Sequence, residues 1–210
     1  MIVHALFRLK MTLIHFVLWH KGLKVYVTDY ASTLDEVYIF RKKVYVDEGY
    51  FAPGVEVPDV WKDAYDERSR HIFIKKNDRI VAATRLVYER PFPIQLYFNV
   101  EIPDYPCGEF SRLVIDKEFR GGSKGALLAL SYGIIKTSWA LNIPHWVMFM
   151  PKRFKESLEK LGLTFSELPQ KPLESFHQKY QESLQGYFKN DVHPYMTNIQ
   201  TLIHGFVRRD

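Results

Sequence analysis

The chain has 210 residues, which is enough for one sizeable hydrophobic core and short for two domains. Apolar residues make up 47% and charged residues 25%, values that are usual for a folded globular protein and that exclude a disordered or fibrous chain. The single cysteine, Cys107, excludes an intrachain disulfide and fits a reducing compartment. Aromatic residues reach 15%, which fits either an aromatic core or a pocket for an apolar ligand.

The net charge of +5 is concentrated in two segments. Residues 1–24 carry four bases and no acid, and residues 117–160 carry eight bases against three acids. Such a basic surface favours an anionic partner, whether a phosphorylated cofactor, an acidic protein, an anionic lipid or a nucleic acid. No motif with the spacing of a nucleic-acid reader occurs, so we expect no nucleic-acid partner.

The N-terminal residues 1–22 are predicted to form an amphipathic helix. His4, Arg8, Lys10 and His15 interrupt the apolar run, so the apolar length is too short to span a bilayer. No small-residue cleavage site follows, so we do not expect a signal peptide. The helix can pack on the core or lie at a membrane surface.

Periodicity predicts alternating strands and helices over the following residues. In chain order, the prediction is a strand at 23–28, a helix from Ser32 or Thr33, an irregular loop at 49–62, a hairpin of strands 71–76 and 79–88 turning at Asn77-Asp78, a strand at 108–116, a helix at 125–141, a strand at 144–150, a short basic helix at 152–161 and a strand at 163–168. The extension 169–210 shows no clear pattern, although 194–207 is predicted to be helical. The whole chain is therefore predicted to be one α/β (α+β) domain around a single sheet.

Charged residues stand where the pattern requires apolar ones. Arg41 lies on the inward stripe of its helix, Arg85 on a central strand, and Glu109 and Arg112 on the strand after it. Asp63 and Asp66 share one side of a turn. These residues form either a structural ion network or a polar substrate site.

The ordered motifs resemble the acyl-homoserine-lactone synthases and the long-chain N-acyl amino acid synthases of the GNAT superfamily. The resemblance spans about residues 37–151 and rests on Arg41-Lys42-Lys43-Val44-Tyr45, Gly49-Tyr50, Asp63 to Asp66 with Tyr65, Thr84-Arg85-Leu86 and Glu109-Phe110-Ser111-Arg112. In the phosphate-binding loop Arg120-Gly121-Gly122-Ser123-Lys124-Gly125, a serine replaces the first glycine of the GNAT pattern. Tyr50 stands where lactone synthases often carry tryptophan, which favours the branch that acylates amino acids.

The resemblance implies a GNAT-like three-layer fold: a mixed, mostly antiparallel sheet with a splayed and bulged fourth strand, and helices on both faces. It implies transfer of a long-chain acyl group from acyl carrier protein to the α-amino group of an amino acid. An acyl-homoserine-lactone synthase using S-adenosylmethionine, and an enzyme using acetyl-CoA, are the alternatives. The donor thioester is a co-substrate, with acyl-CoA as the alternative carrier, so no permanently bound cofactor and no metal are expected.

The same resemblance assigns roles to residues. The catalytic group is Glu109, Ser111 and Arg112, with Glu109 as general base unless it forms a salt bridge to Arg112 or Arg85. Acceptor binding falls to Arg41, Asp63, Asp66 and Arg85, and the acyl chain is expected among Phe98, Trp139, Trp146 and Phe149. The acidic carrier would meet Lys117, Arg120, Lys124, Lys152, Arg153 and Lys155. A cytoplasmic protein is expected, with the N-terminal helix giving the alternative of peripheral contact at the inner face of the membrane.

Overall fold

One seven-stranded sheet organises residues 2–29, 34–121, 125–160 and 163–199, the parts of the chain that the computed structural model describes. Its strands are β1 (Lys24–Thr28), β2 (Ser69–Lys76), β3 (Arg79–Val87), β4 (Cys107–Ile115), β5 (His145–Pro151), β6 (Ser166–Glu167) and β7 (Val192–Asn198). The helices are α1 (Ile2–His20), α2 (Asp35–Asp47), α3 (Ile94–Tyr97), α4 (Ala126–Ala140), α5 (Lys152–Glu159), α6 (Ser175–Ser183) and α7 (Gln185–Phe188), with single 3-10 turns at Asp66–Arg68 and Lys117–Phe119.

The spatial order of the strands is β1-β2-β3-β4-β5-β7-β6. Only the β4–β5 pair is parallel among these strands, so the sheet is mixed and mostly antiparallel, as predicted. The predicted β2–β3 hairpin is confirmed. Asn77 and Asp78 both take positive φ, 50° and 61°, which is the conformation of the tight turn that matches strand twist.

Helices cover both faces of the sheet and create two hydrophobic clusters. On one face, Leu18 of α1 and Leu130 of α4 pack against alternate strand residues such as Ile72. On the other, Val44 of α2 and Ile94 of α3 pack with residues that include Phe73. The predicted three-layer α/β fold is therefore confirmed, because each strand of the centre buries side chains on both faces.

The β4 strand carries the predicted bulge and the predicted splay. Arg85 pairs with Ser111 but Ala83 pairs with Val114, so β4 holds one more residue than β3 over this stretch. Arg112 takes φ 56° there, a left-handed conformation that re-aims its side chain. Beyond Glu109, the described residues of β4 and β5 no longer pair, so the two strands separate.

Two predictions for the last third of the chain need correction. Residues 194–198, predicted as part of a helix, belong to β7, because this segment pairs with both β5 and β6 and the sheet overrides local preference. Residues 200–207 of that prediction lie outside the described residues, as do Ser32 and Thr33, the predicted starts of α2. The predicted strand 163–168 is limited to Ser166–Glu167.

The described helices include α1, and none of them is both long and apolar enough to cross a membrane.

Candidate active site

Two arginines and two aspartates form a buried ion network on the α2 face of the sheet. Arg41 donates two parallel hydrogen bonds to Asp66, at 2.9 and 2.8 Å, and a further one to the carbonyl of Trp61. Arg85 lies 2.7 Å from the same Asp66 carboxylate. It also contacts both carboxylate oxygens of Asp63, at 2.6 and 3.0 Å. These paired geometries satisfy charges that would otherwise be costly to bury.

Local backbone structure places the two aspartates side by side. The Asp66 carboxylate accepts the N–H of Asp63 at 2.8 Å, and the Asp63 carboxylate accepts the N–H of Tyr65 at 2.9 Å. These bonds cap the turn that leads into β2 and fix both side chains toward β3. The spacing of three residues noted in the sequence is therefore the spacing of one capped turn.

The bulge brings the third arginine to the network. Arg112 contacts Asp63 at 3.1 Å, and its guanidinium lies 4.3 Å from the ring centroid of Trp61. Beside it, Ser111 accepts a hydrogen bond from Nε of Arg85 at 3.0 Å. Without the bulge, alternation would send Ser111 and Arg112 to opposite faces.

His71 is a member of this cluster that sequence reasoning missed. It is almost fully buried on β2, and its Nε2 lies 3.0 Å from the carbonyl oxygen of Asp66. Burial lowers the pKa of His71, so the ring is neutral at pH 7 and donates to that carbonyl. Its place in the alternation of β2, opposite Arg85, is the sequence signal that could have revealed it.

Glu109 stands apart from the ion network, although it is completely buried on the same face. One carboxyl oxygen, Oε2, accepts the backbone N–H of Ile94 at 2.6 Å, and Oε1 has no partner among the described residues. The predicted alternative, an ion pair with Arg85 or Arg112, does not form. Burial raises the pKa of Glu109 to about 8, against a weaker opposing effect of the Ile94 N–H and the two arginines.

The network carries one uncompensated positive charge. Burial would raise the pKa of Asp66, but Arg41 and Arg85 outweigh it and hold the pKa below its usual range. The pKa of Asp63 is likewise lowered, because Arg85 and Arg112 outweigh its burial. At pH 7 three guanidinium groups therefore face two carboxylates, with Glu109 mostly protonated.

A cavity of about 910 Å³ passes through the gap between β4 and β5. It is lined on one face of the sheet by polar groups, Arg85, Ser111, Arg112, Tyr45, Tyr50, Tyr97 and Tyr187, and on the other by apolar groups such as Leu127, Ile135, Phe154 and Leu158. Its size is within the usual range of roughly 300–1,000 Å³ for small-molecule sites. The splay of β4 thus connects the two faces of the sheet.

Only half of the aromatics predicted for the acyl chain line this cavity. Trp146 and Phe149 do so. Phe98 does not, because it lies behind Phe149, with ring centroids 5.7 Å apart. Trp139 does not either, because it is on the outer side of α4 and 46% exposed.

Of the basic residues predicted to meet the carrier, likewise only some line the cavity. Arg120 and Arg153 border the cavity together with Lys160, a residue that sequence reasoning missed. Lys117 and Lys152 are exposed nearby in sequence, Lys155 pairs with Glu159 at 2.8 Å, and Lys124 lies outside the described residues. Among the described residues that line the cavity there are five cationic side chains and no carboxylate.

Comparison with known proteins agrees with this geometry. Residues 40–130 match the acetyltransferase (GNAT) domain family, whereas no curated protein matches the chain. The acyl-homoserine-lactone synthase LasI shares the fold at 18% identity and a TM-score of 0.65, over 88% of this chain and 95% of that one.

Two further solved structures share it. One is the CoA-dependent acyl-homoserine-lactone synthase BjaI with SAM and isopentyl-CoA, at 17% identity and a TM-score of 0.66, covering 89% of this chain and 90% of that one. The other is FeeM, an N-acyl amino acid synthase from uncultured soil microbes, at 8% identity and a TM-score of 0.58, covering 85% and 90%. Residues 40–130 are thus similar to the acetyltransferase (GNAT) domain family, and the chain has the fold that these synthases share.

Proposed function

We propose that this protein transfers a long-chain acyl group from the thioester of acyl carrier protein to the α-amino group of an amino acid. The observation that carries the proposal is the continuous cavity through the β4–β5 gap, which is mainly apolar on one face of the sheet and is lined by Arg85, Arg112 and tyrosines on the other. An acyl chain fits the first part, and a polar, negatively charged acceptor fits the second.

The donor side is supported by β4 itself. Past Glu109 its edge toward β5 has no strand partner among the described residues, so backbone N–H groups there can polarise a thioester carbonyl. The acyl chain would extend past Trp146 and Phe149 toward Phe154 and Leu158, away from water. The phosphate of the carrier's phosphopantetheine would meet Arg120, Arg153 and Lys160.

The acceptor side is supported by the charge of the ion network. Both terminal nitrogens of Arg41 are bonded to Asp66 and Trp61, and Arg41 does not line the cavity, so we assign the carboxylate-anchoring role expected of Arg41 to Arg112 instead. Among the described residues, Arg112 has one ion-pair partner, Asp63, and it lines the cavity. Because the network holds one positive charge in excess, an acceptor carboxylate beside Arg112 would neutralise it.

In the proposed reaction the neutral amine attacks the thioester carbonyl carbon, the C–N bond forms and the C–S bond breaks. The sulfur leaves as a thiolate that takes up a proton, and the amine loses one proton to ionised Glu109, directly or through water. The raised pKa of Glu109 makes it a stronger base than an ordinary carboxylate, although a smaller fraction is ionised at pH 7.

The lactone synthases among the structural neighbours support a second candidate. BjaI was solved with SAM, and its TM-score of 0.66 exceeds the 0.58 of FeeM. At such low identity these values speak for the fold alone, so the choice between the two candidates rests on the acceptor.

The deciding experiment offers acyl carrier protein charged with a fatty acid to the purified chain, with amino acids and S-adenosylmethionine in parallel. The proposal predicts an N-acyl amino acid by mass spectrometry and no methylthioadenosine. Arg112→Met, which removes the charge and keeps much of the volume, should raise KM for the amino acid at least about tenfold, the usual size of a lost charge-assisted contact. Methylthioadenosine with an acyl lactone would establish the second candidate instead.

A further inference from the structure

The outer face of α1 is unusually apolar for a surface helix. Five of its large apolar side chains are exposed by 42 to 67%, namely Leu9, Leu13, Phe16, Val17 and Trp19. Leu9, Leu13, Phe16 and Val17 are spaced i, i+4, i+7 and i+8, so they form one row along the helix. A contiguous exposed row of this kind marks an interaction surface.

The opposite face of α1 packs against the hydrophobic core and holds the helix in place. Leu18 is 1% exposed, and Met11 and Ile14 pack against the same core cluster. The helix is therefore already anchored by three residues, and its outer row adds nothing to that core. Toward the C-terminal end of the row, Phe16 and Trp19 have ring centroids 6.2 Å apart, and both rings also contact that of His20. Tryptophan, whose ring carries a polar N–H, is typical of the boundary between lipid and water.

All charged residues in the segment that contains this row are basic. Residues 1–28 contain Arg8, Lys10, Lys21 and Lys24 and no acid, and Asp29 is the first carboxylate in the chain. A second copy of the same face would bring these cations together, which is unfavourable. A surface of anionic headgroups would neutralise them while the apolar row enters the acyl region.

We propose that α1 lies in the plane of an anionic lipid bilayer and inserts its outer row into it. The inner face of the same helix contributes Ile14 to the wall of the cavity. A bilayer on the outer row would therefore lie about one helix diameter, roughly 10–12 Å, from the cavity. Membrane attachment of this kind does not depend on which acyl acceptor the protein uses.

Cosedimentation of the full chain with vesicles tests the proposal. The chain should pellet with vesicles of phosphatidylglycerol and phosphatidylcholine, and pellet poorly with phosphatidylcholine alone. The double substitution Leu13→Glu with Phe16→Glu should reduce binding to anionic vesicles at least about tenfold, because two apolar side chains that would enter the bilayer are lost. Tryptophan fluorescence should shift to the blue on binding, and Trp19→Phe should diminish that shift.

The matched control places the same charges on another helix. Ile39→Glu with Val46→Glu changes two residues of α2 that are 49% and 53% exposed, and it should leave vesicle binding intact. Circular dichroism should show that both double variants are folded. Wild-type protein that stays in the supernatant with every vesicle, equal loss of binding in the α2 control, or a dimer by light scattering that the α1 variant dissolves would each overturn the proposal.

Discussion

The proposed role of Glu109 as general base can be tested through the pH dependence of the reaction. Its only described hydrogen bond comes from the Ile94 N–H, and burial raises its pKa to about 8. A general base must be ionised, so the pH profile of kcat/KM should contain a rising limb that levels off near pH 8, in addition to the limb of the substrate amine. Measurement of kcat/KM between about pH 6 and pH 9.5 checks this.

The matched variant is Glu109→Gln, whose side-chain oxygen can still accept the Ile94 N–H. It should stay folded and lose about 10²- to 10⁴-fold in rate. The substrate amine also titrates, so the variant should retain only that limb of the profile. A wild-type profile identical in shape to that of the variant would remove Glu109 from the role of base.

At the scale of single residues, the sequence predicted which side chains belong to the site more successfully than it predicted their contacts and roles. Arg41, Arg85 and Glu109 were found because each interrupts an apolar pattern, and all three are buried. Their partners are set by tertiary contacts that periodicity does not contain. The Ile94 N–H reaches Glu109 from a one-turn helix fifteen residues earlier, so the choice between base and salt bridge needed coordinates.

Among the secondary-structure elements, α7 packs closely against the Gly49-Tyr50 turn beside the site. A Cβ built on Gly186 would lie 1.7 Å from the carbonyl oxygen of Gly49, so the helix meets the Gly49-Tyr50 turn through its backbone. The next residue, Tyr187, lines the cavity and donates a hydrogen bond from its hydroxyl to the carbonyl of Phe149 at 3.3 Å. Gly186 therefore determines where the wall of the acceptor end stands.

We expect Gly186→Ala to destabilise the protein by at least about 2 kcal/mol, as overpacking against backbone does, and to raise KM for the acceptor. Gly54→Ala is the control, since its φ of 78° is strained for alanine but its Cβ would meet no atom within 4 Å. That variant should lose only about 1 kcal/mol in urea unfolding and keep its KM. Equal losses of stability and an unchanged KM in both variants would contradict this role for α7.

Elements with strong local sequence signals were predicted well, and elements that depend on tertiary pairing were not. The β2–β3 hairpin and α4 have strong local signals and were predicted nearly to the residue. The short β7 was missed, because Val192–Asn198 is stabilised by β5 and β6 rather than by its own alternation. The position of the bulge came from resemblance, since nothing local in Ser111-Arg112-Leu113 indicates a left-handed residue.

For the whole molecule, the main consequence of the fold is that the two faces of the sheet carry chemically different parts of the site. One face holds the ion network and the tyrosines, the other holds the apolar part of the cavity, and the β4–β5 gap joins them. Cationic residues border the cavity on both sides of that division, with Arg112 at the acceptor end and Arg153 on α5. Substrates that carry an anion at each end would be held across the sheet.

The remaining prediction concerns the donor that meets α5. Arg153 is exposed, and its one described side-chain hydrogen bond goes to Asn190 at 3.0 Å, so Arg153→Glu reverses a charge without breaking an ion pair. With acyl carrier protein as donor, the variant should raise KM about tenfold or more at low salt and leave kcat nearly unchanged, because charges at the rim act mainly on encounter. A higher salt concentration should raise KM of the wild type for acyl carrier protein and reduce the difference in KM between the wild type and Arg153→Glu.

Lys179→Glu, at an exposed position of α6, is the matched control and should behave like the wild type. A short acyl-pantetheine thioester without the carrier should be used equally by all three proteins, because it presents no acidic surface. If Arg153→Glu leaves KM for acyl carrier protein unchanged, or if the wild type turns over acyl-CoA just as well without dependence on salt, the carrier is not the donor. The cations around the cavity would then be bound to the phosphates of the smaller thioester.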